Sequence, residues 1–145
     1  MSDIEFFFED IPAFEIDQNF AGQQIIELIN EEEKETEDIS VIFCSDDFLL
    51  EMNKTHLDHD YYTDIITFNY VESNLISGDL FISVDRVKEN ANTFKVSFYE
   101  ELYRVILHGV LHLIGYNDKT DDDKKVMRVK ENYYLAKIEF RAEMK

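Results

Sequence analysis

Three side chains in the C-terminal third, those of His108, His112 and Asp118, have the chemistry and the spacing of metal ligands. Apolar residues surround the two histidines and favour a helix, on which positions four apart share one face with Cβ atoms about 5–6 Å apart. Gly115 is predicted to end this helix, because glycine adopts the left-handed conformation of a C-terminal cap at low cost. The chain then turns back and brings Asp118 to the place of a third ligand.

Two imidazoles and a carboxylate, with a fourth position left for water, are typical of a catalytic rather than a structural zinc site. We therefore predict one Zn2+ ion bound by His108, His112 and Asp118. The structural alternative is that the histidines are core residues, each with a satisfied hydrogen bond, that fall four apart by chance. A metalloprotease is disfavoured, because its His-Glu-x-x-His pattern needs a glutamate as general base and position 109 is glycine.

The elements that position these ligands follow from the pattern of apolar residues and helix caps. Strands are predicted at 4–8, 39–44, 64–70 and 78–84, and the last two are expected to pair antiparallel. Helices are predicted from Asn19 to about Glu35, after Ser45 or Asp46, for about ten residues from Asp85, from a capping box at Ser97 to Gly115, and from Thr120. The order β-α-β-α-β-β-α-α-α predicts an α+β (α/β-like) fold. It is a mixed four-stranded sheet with helices packed against it, in a single layered domain over residues 1–145.

The net charge of −18 is unevenly distributed: residues 1–104 carry −19 and residues 105–145 carry +1. An acidic protein repels bulk nucleic acid. Any RNA contact is therefore predicted in the C-terminal third, at Lys119, Lys124, Lys125, Arg128 and Lys130. The alternative for these cations is a merely solvated helix face.

The composition also bounds the compartment and the partners. No run approaches the roughly 18 apolar residues of a membrane helix, and the start of the chain lacks the basic residues of a secretory signal. The single cysteine, Cys44, lies in an apolar run and allows no internal disulfide, which fits a reducing cytosol. We expect a globular cytoplasmic protein without membrane or DNA partners.

Three stretches resemble the YbeY family of bacterial rRNA maturation factors. Residues 108–116, His-Gly-Val-Leu-His-Leu-Ile-Gly-Tyr, resemble the family signature His-Gly-x-Leu-His-Leu-x-Gly-Tyr-Asp-His. Residues 63–68 (Thr-Asp-Ile-Ile-Thr-Phe) and 78–83 (Gly-Asp-Leu-Phe-Ile-Ser) resemble the family's Thr-Asp-Val-Leu-Ser-Phe and Gly-Asp-Ile-x-Ile-Ser. The resemblance implies a zinc-dependent, single-strand-specific endoribonuclease. It would act in maturation of the 3′ end of small-subunit rRNA and in ribosome quality control, with rRNA or the small ribosomal subunit as partner.

The chain departs from the family pattern at two positions. The third ligand of the family is usually histidine, and Asp118 stands there. The family also has an arginine upstream of its Thr-Asp segment, where this chain has Leu57, and residues 55–63 contain no arginine. The cation that phosphodiester cleavage requires must then come from elsewhere, and the candidates are Arg86, Lys88, Arg104 and Lys119.

Catalytic roles are less defined by the sequence than metal ligands. His56 and His59 are candidate proton carriers, with ordinary loop histidines as the alternative. Asp64 and Asp79 are candidates for orienting the site, although turn and strand-edge structure explains them equally well. Three functions remain: the endoribonuclease, a ribosome-associated binding factor with a structural or weakly active metal site, and a hydrolase of another substrate such as a peptide.

Overall fold

The computed structural model describes residues 4–56 and 63–138. Its elements are β1 (Ile4–Phe8), α1 (Gln18–Glu31), β2 (Glu35–Cys44), α2 (Asp46–His56), β3 (Ile65–Asn69), β4 (Leu75–Ser83), α3 (Val84–Phe94), α4 (Phe98–Ile114) and α5 (Asp121–Leu135). The predicted order of strands and helices is therefore confirmed.

The four strands form one mixed sheet in the order β1-β2-β4-β3. β1 pairs with β2, and β2 with β4, in parallel, whereas β3 and β4 pair antiparallel as predicted. The sheet with its five helices makes an α+β domain in the described part of the chain.

Helix α4 is the central element of the fold. It contacts β3, β4, α1, α3 and α5. It lies close to the sheet at Gly109, where an added Cβ would stand 2.6 Å from Cδ1 of Ile65. The close packing of α4 on the sheet thus explains why position 109, directly after His108, is a glycine.

Hydrophobic cores lie on both faces of the sheet. The larger core joins α1, α4 and α5 to alternate residues of β2, namely Ile39, Val41 and Phe43, because successive strand residues point to opposite faces. The smaller core lies under α2 and contains Cys44, Leu49 and Ile66. None of the described helices is long and apolar enough to span a membrane.

Several boundaries differ from the sequence prediction. Asp17, not Asn19, caps α1, and its carboxylate accepts a hydrogen bond from the backbone N–H of Phe20. α1 ends at Glu31, and Glu33 adopts a positive φ of 62°, which reverses the chain. β2 therefore begins at Glu35, four residues before its apolar run.

The helix caps near the site agree with the prediction except in detail. Ser83 caps α3, so this helix begins at Val84 rather than Asp85. Ser97 caps α4 by accepting from the backbone N–H of Glu100, as predicted. The reciprocal capping box is found at the start of α5, between Thr120 and Asp123.

Candidate metal centre

The C-terminal half of α4 presents His108 and His112 on one helix face. Their Nε2 atoms are 3.0 Å apart, and 21% and 23% of the two side chains are exposed. Both rings are therefore held by the fold while remaining open to solvent on one side.

The turn after α4 brings Asp118 to these rings. Gly115 has a φ of 127°, a region that L-residues rarely adopt, and its N–H and that of Tyr116 both bond to the carbonyl of Leu111. This turn places Oδ2 of Asp118 3.4 Å from Nε2 of His108 and 3.4 Å from Nε2 of His112.

The separations of the three atoms suit one tetrahedral ion. Zinc–ligand bonds of about 2.0–2.1 Å in a tetrahedron place neighbouring ligand atoms about 3.3 Å apart, and the observed separations are 3.0, 3.4 and 3.4 Å. Within residues 4–56 and 63–138, no other group of three His, Cys, Asp or Glu side chains could hold a metal ion. These residues fit the ion, and its binding stays a prediction.

Glu131 of α5 contacts the ring of His108 from behind. Its Oε2 lies 2.6 Å from Nδ1 of His108, and its Oε1 lies 3.0 Å from Nη1 of Arg104. Burial raises the pKa of Glu131, but the hydrogen bond and charge of His108, with Arg104, outweigh burial and leave it below its ordinary value. An ionised carboxylate only accepts, so Nδ1 carries the hydrogen and Nε2 of the neutral ring is left to bind a metal.

The charges around the two rings shift their pKa values in opposite directions. Burial lowers the pKa of His108, but Glu131, Asp64 and Asp118 together raise it above its ordinary value. Burial and the neighbouring His108 lower the pKa of His112. One ring is thus biased toward the charged form and the other toward the neutral form that a ligand needs.

A second carboxylate, Glu32, fixes the turn that carries Asp118. Glu32 follows α1 and accepts hydrogen bonds from the hydroxyl of Tyr116 at 2.6 Å, from Nζ of Lys130 at 2.9 Å and from the hydroxyl of Tyr134. Only 10% of its side chain is exposed. Glu32 lies in the acidic run 31–33, but it is a buried acceptor for this turn and not part of a solvated helix end.

A cleft of about 210 Å3 lies beside His108, between α3, α4 and α5. Glu101 and Asp64 are two of the residues that line it. Burial raises the pKa of Glu101 to about 7 against the opposing charge of Arg104. Burial likewise raises the pKa of Asp64, against the charge of His108. Of the two aspartates proposed to orient the site, Asp64 is therefore near His108, whereas Asp79 accepts a hydrogen bond from Tyr70 within the sheet.

The predicted RNA-binding cations fall on different surfaces. Lys119, Lys124, Lys125 and Arg128 are exposed. Arg128 also lines the cleft beside His108. Lys130 instead donates to Glu32 and belongs to the anchor of the Asp118 turn.

The remaining candidates separate in the same way. Arg104 is adjacent to the site through Glu131. Arg86 instead pairs with Asp46 at the start of α2, and Lys88 lines a different pocket, together with Phe98. His59, the side chain of His56 and the family's arginine position at 57 lie outside the described residues.

Sequence reasoning missed Glu131, Glu32 and the cleft carboxyl Glu101. A signal existed for Glu131, because it falls in the register of the buried α5 residues Met127 and Tyr134. A second signal existed for Glu101, because it lies seven positions before His108 and therefore on the same face of the helix.

The fold and the site define a class of protein: an α+β domain whose central helix and following turn bring two histidines and a carboxylate together. The family model described as "Endoribonuclease YbeY" matches residues 8–139. The endoribonuclease YbeY of Parabacteroides distasonis is 50% identical over 133 residues, covering 92% of this chain and 94% of that protein. The endoribonuclease YbeY of Flavobacterium johnsoniae is 46% identical over 133 residues, with 92% and 95% covered.

A solved structure supports the same assignment of fold. The solution structure of a Thermotoga maritima protein covers 92% of this chain and 87% of its own, with a TM-score of 0.65 and 28% sequence identity. The chain belongs to the endoribonuclease YbeY family.

Proposed function

We propose that this protein is a zinc-dependent endoribonuclease that cleaves single-stranded RNA at the centre formed by His108, His112 and Asp118. The observation that carries the proposal is the convergence of these three ligand atoms to 3.0–3.4 Å, in a chain of the endoribonuclease YbeY family. Imidazole and carboxylate ligands suit zinc.

The residues of the chain divide the work as follows. Glu131 keeps the hydrogen of His108 on Nδ1, so that Nε2 faces the ion. Glu32 holds Tyr116 and thereby the turn that presents Asp118. When bound, zinc supplies a Lewis acid that polarises a phosphoryl oxygen and lowers the pKa of water to about 7.

The substrate phosphate needs positive charge close to the centre. Asp118 in place of a third histidine lowers the formal charge of the liganded site from +2 to +1, and Glu131 already neutralises Arg104 at 3.0 Å. We assign the added positive charge to Lys119, next to Asp118, and to Arg128, which lines the cleft beside His108. Arg128 also pairs with Glu131, at 3.6 Å, but 59% of its side chain is exposed, compared with 20% for Arg104.

The cellular role that we propose is maturation of the 3′ end of small-subunit rRNA and ribosome quality control in the cytoplasm. The names of the relatives support RNA cleavage, and the resemblance of residues 108–116 to the signature of rRNA maturation factors supports the choice of RNA. Its partner would be rRNA or the small ribosomal subunit.

A second candidate is a ribosome-associated binding factor whose metal site is structural or weakly active. The absence of arginine from residues 55–63 favours it, because phosphodiester cleavage needs cations where charge develops in the transition state.

The test compares RNA strands of one sequence, single-stranded and annealed to a complement, with zinc-loaded protein. We expect the single strand to be cut, a chelator to stop cleavage, and His112→Ala to lose both zinc and activity. Asp122→Asn is the matched control, because Asp122 is an exposed carboxylate four residues beyond Asp118.

The outcomes separate the two candidates. Zinc-loaded parent protein that binds ribosomal particles but cuts no RNA would establish the binding factor. Cleavage by His112→Ala at the rate of the parent protein would show that the chemistry lies elsewhere in the chain.

A further inference from the structure

The cleft beside His108 is built from four elements. Its walls come from the residue before β3, from α3, α4 and α5, and His108 itself is part of the wall. Its volume is about 210 Å3, which is enough for one nucleobase.

The interior of the cleft offers hydrogen-bond acceptors. Glu101 is 4% exposed, and within residues 4–56 and 63–138 no donor is hydrogen-bonded to its carboxyl group. Burial makes the ionised form of Glu101 costly and raises the pKa of its carboxyl group to about 7. A ligand that brings an N–H group to this carboxylate would lower that cost.

The rim of the cleft offers an aromatic surface and a cation. Phe94, the last residue of α3, is 59% exposed and lines the cleft. Arg128 of α5 also lines the cleft. Proteins stack an unpaired base on an exposed aromatic ring and hold its phosphate with a cation, and this cleft offers both groups.

A second metal ion is a poor match for the same cleft. Asp64, Glu101 and Glu131 line it. Within the described residues, however, the only three ligand atoms close enough together to hold an ion are those of His108, His112 and Asp118. The guanidinium groups of Arg104 and Arg128 would also repel a cation.

We propose that this cleft binds one unpaired nucleobase of the RNA strand, stacked on Phe94 and hydrogen-bonded through its amino group to Glu101. The neighbouring phosphate then lies between Arg128 and the metal centre. This inference rests on the proposed function, because it assigns part of the RNA to the wall next to His108.

The chemistry of the cleft selects among bases. A carboxylate accepts from the exocyclic amino groups of cytosine, adenine and guanine, whereas uracil has no amino group. Cytosine has a single ring and a single amino group, which suits a cleft of this volume. The protein should therefore prefer a strand with one cytidine to a strand of uridine alone.

The test uses zinc-loaded full-length protein and two fluorescent ten-residue RNAs, oligouridylate and oligouridylate with one central cytidine. We expect tighter binding of the cytidine strand. Phe94→Ala should weaken it about tenfold, the loss expected for one base–aromatic stack. Phe7→Ala is the matched control, because Phe7 is 43% exposed on β1, away from the cleft.

Glu101→Gln tests the hydrogen bond separately. The amide of glutamine can donate to a uracil carbonyl, so the preference for cytidine over uridine should shrink or reverse while the zinc content stays the same. Glutamine is nearly the same size as glutamate, so this variant preserves the packing of α4.

The results distinguish failure of the inference from failure of the proposed function. RNA cleavage and binding unchanged in Phe94→Ala and in Glu101→Gln would overturn the nucleobase site and leave the nuclease in place. If the parent cuts no RNA, binding of cytidine monophosphate is followed by the NMR shift of the Asn90 side-chain amide, in the same cleft. A shift that Phe94→Ala abolishes would support the site without the nuclease, and no shift would overturn it.

Discussion

Glu131 on α5 lies 2.6 Å from Nδ1 of His108 on α4, so two helices meet behind one candidate metal ligand. Residues that orient a ligand in this way typically change metal affinity by about 10- to 100-fold when they are mutated. We expect Glu131→Ala to weaken zinc binding within that range. Glu131→Gln should lose less, because its amide oxygen still accepts from Nδ1.

Competition with a chromophoric chelator measures these affinities. Asn132→Ala is the control, because Asn132 is the next residue of α5 and is exposed. Parent-like zinc affinity in Glu131→Ala would show that the contact packs the helices without orienting the ligand.

The carboxylate ligand itself can be exchanged. Asp118→His restores the usual ligand of the family and adds one unit of positive charge to the site. The side chain of Asp118 is 43% exposed, which leaves space for an imidazole on the solvent side. We expect this variant to keep its zinc and to keep or raise its RNA cleavage, with Asp122→His as the control.

Metal analysis of the purified Asp118→His protein, followed by cleavage assays, checks the prediction. A substantial loss of bound zinc would mean that the turn after Gly115 is shaped for the shorter carboxylate.

Glu32 is expected to affect zinc binding indirectly, through the turn that carries Asp118. Glu32→Ala leaves the hydroxyls of Tyr116 and Tyr134 and the ammonium of Lys130 without their shared acceptor, and such losses cost about 1–3 kcal/mol each at buried groups. We expect a lower free energy of unfolding and weaker zinc binding, both measured against Glu33→Gln on the exposed side of the same turn. Lower stability with unchanged zinc affinity would separate the anchor from the metal centre.

Glu101 makes stability depend on pH. The unfolded carboxyl group ionises near pH 4.5, whereas in the folded protein burial holds its pKa at about 7. The stabilising contribution is therefore fully present below pH 4.5 and is lost as the pH rises to 7. At about 1.4 kcal/mol per pKa unit, the loss is about 3 kcal/mol.

Urea unfolding of metal-free protein at pH 5 and pH 8 tests this effect. Glu101→Gln should be more stable than the parent at pH 8 and should differ less from it at pH 5, even with Asp64, Arg104, Arg128 and Glu131 around the same cleft. Glu100→Gln is the control, because Glu100 is the neighbouring carboxylate of α4 and does not line the cleft. If Glu101→Gln differed in stability from the parent equally at both pH values, the pH effect could not be assigned to Glu101.

The proximity of the three candidate ligands could be predicted from the sequence because its geometry is local. His108 and His112 are fixed by the helix period, and Asp118 by a turn that begins at Gly115. Glu131 and Glu32 could not be placed in this way, because they reach the site from other helices, 23 residues after His108 and 84 residues before Tyr116. Contacts between residues so far apart in the sequence depend on how the helices and the sheet pack together.

The strand boundaries show the same limit. The prediction placed the start of β2 at Ile39 because its apolar residues begin there. The polar residues before it join the strand because Glu35 and Thr36 pair with Leu75 and Ile76 of β4. A sheet partner thus overrides a sequence pattern that placed Glu35 at the end of a helix and the strand start at Ile39.

The surface of α5 provides the last prediction, which concerns the path of the RNA. Lys124 and Arg128 lie one helical turn apart on the side of α5 that carries Glu131, and Lys125 lies about 100° around the helix. Replacing all three with glutamine should weaken binding of single-stranded RNA. Each phosphate contact contributes about 0.7 to the salt slope of single-strand binding, so the slope should fall by about 2.

Zinc content should be unchanged, because none of the three side chains is a candidate ligand. The control is the pair Lys34→Gln and Lys88→Gln, which removes positive charge from other surfaces and should have a smaller effect per charge. Binding measured from low to high salt decides the matter, since contacts with phosphates weaken as salt rises whereas apolar docking does not. A triple variant that binds ribosomal particles like the parent at every salt concentration would show that shape or partner proteins dock this surface, with the lysines only solvating the helix.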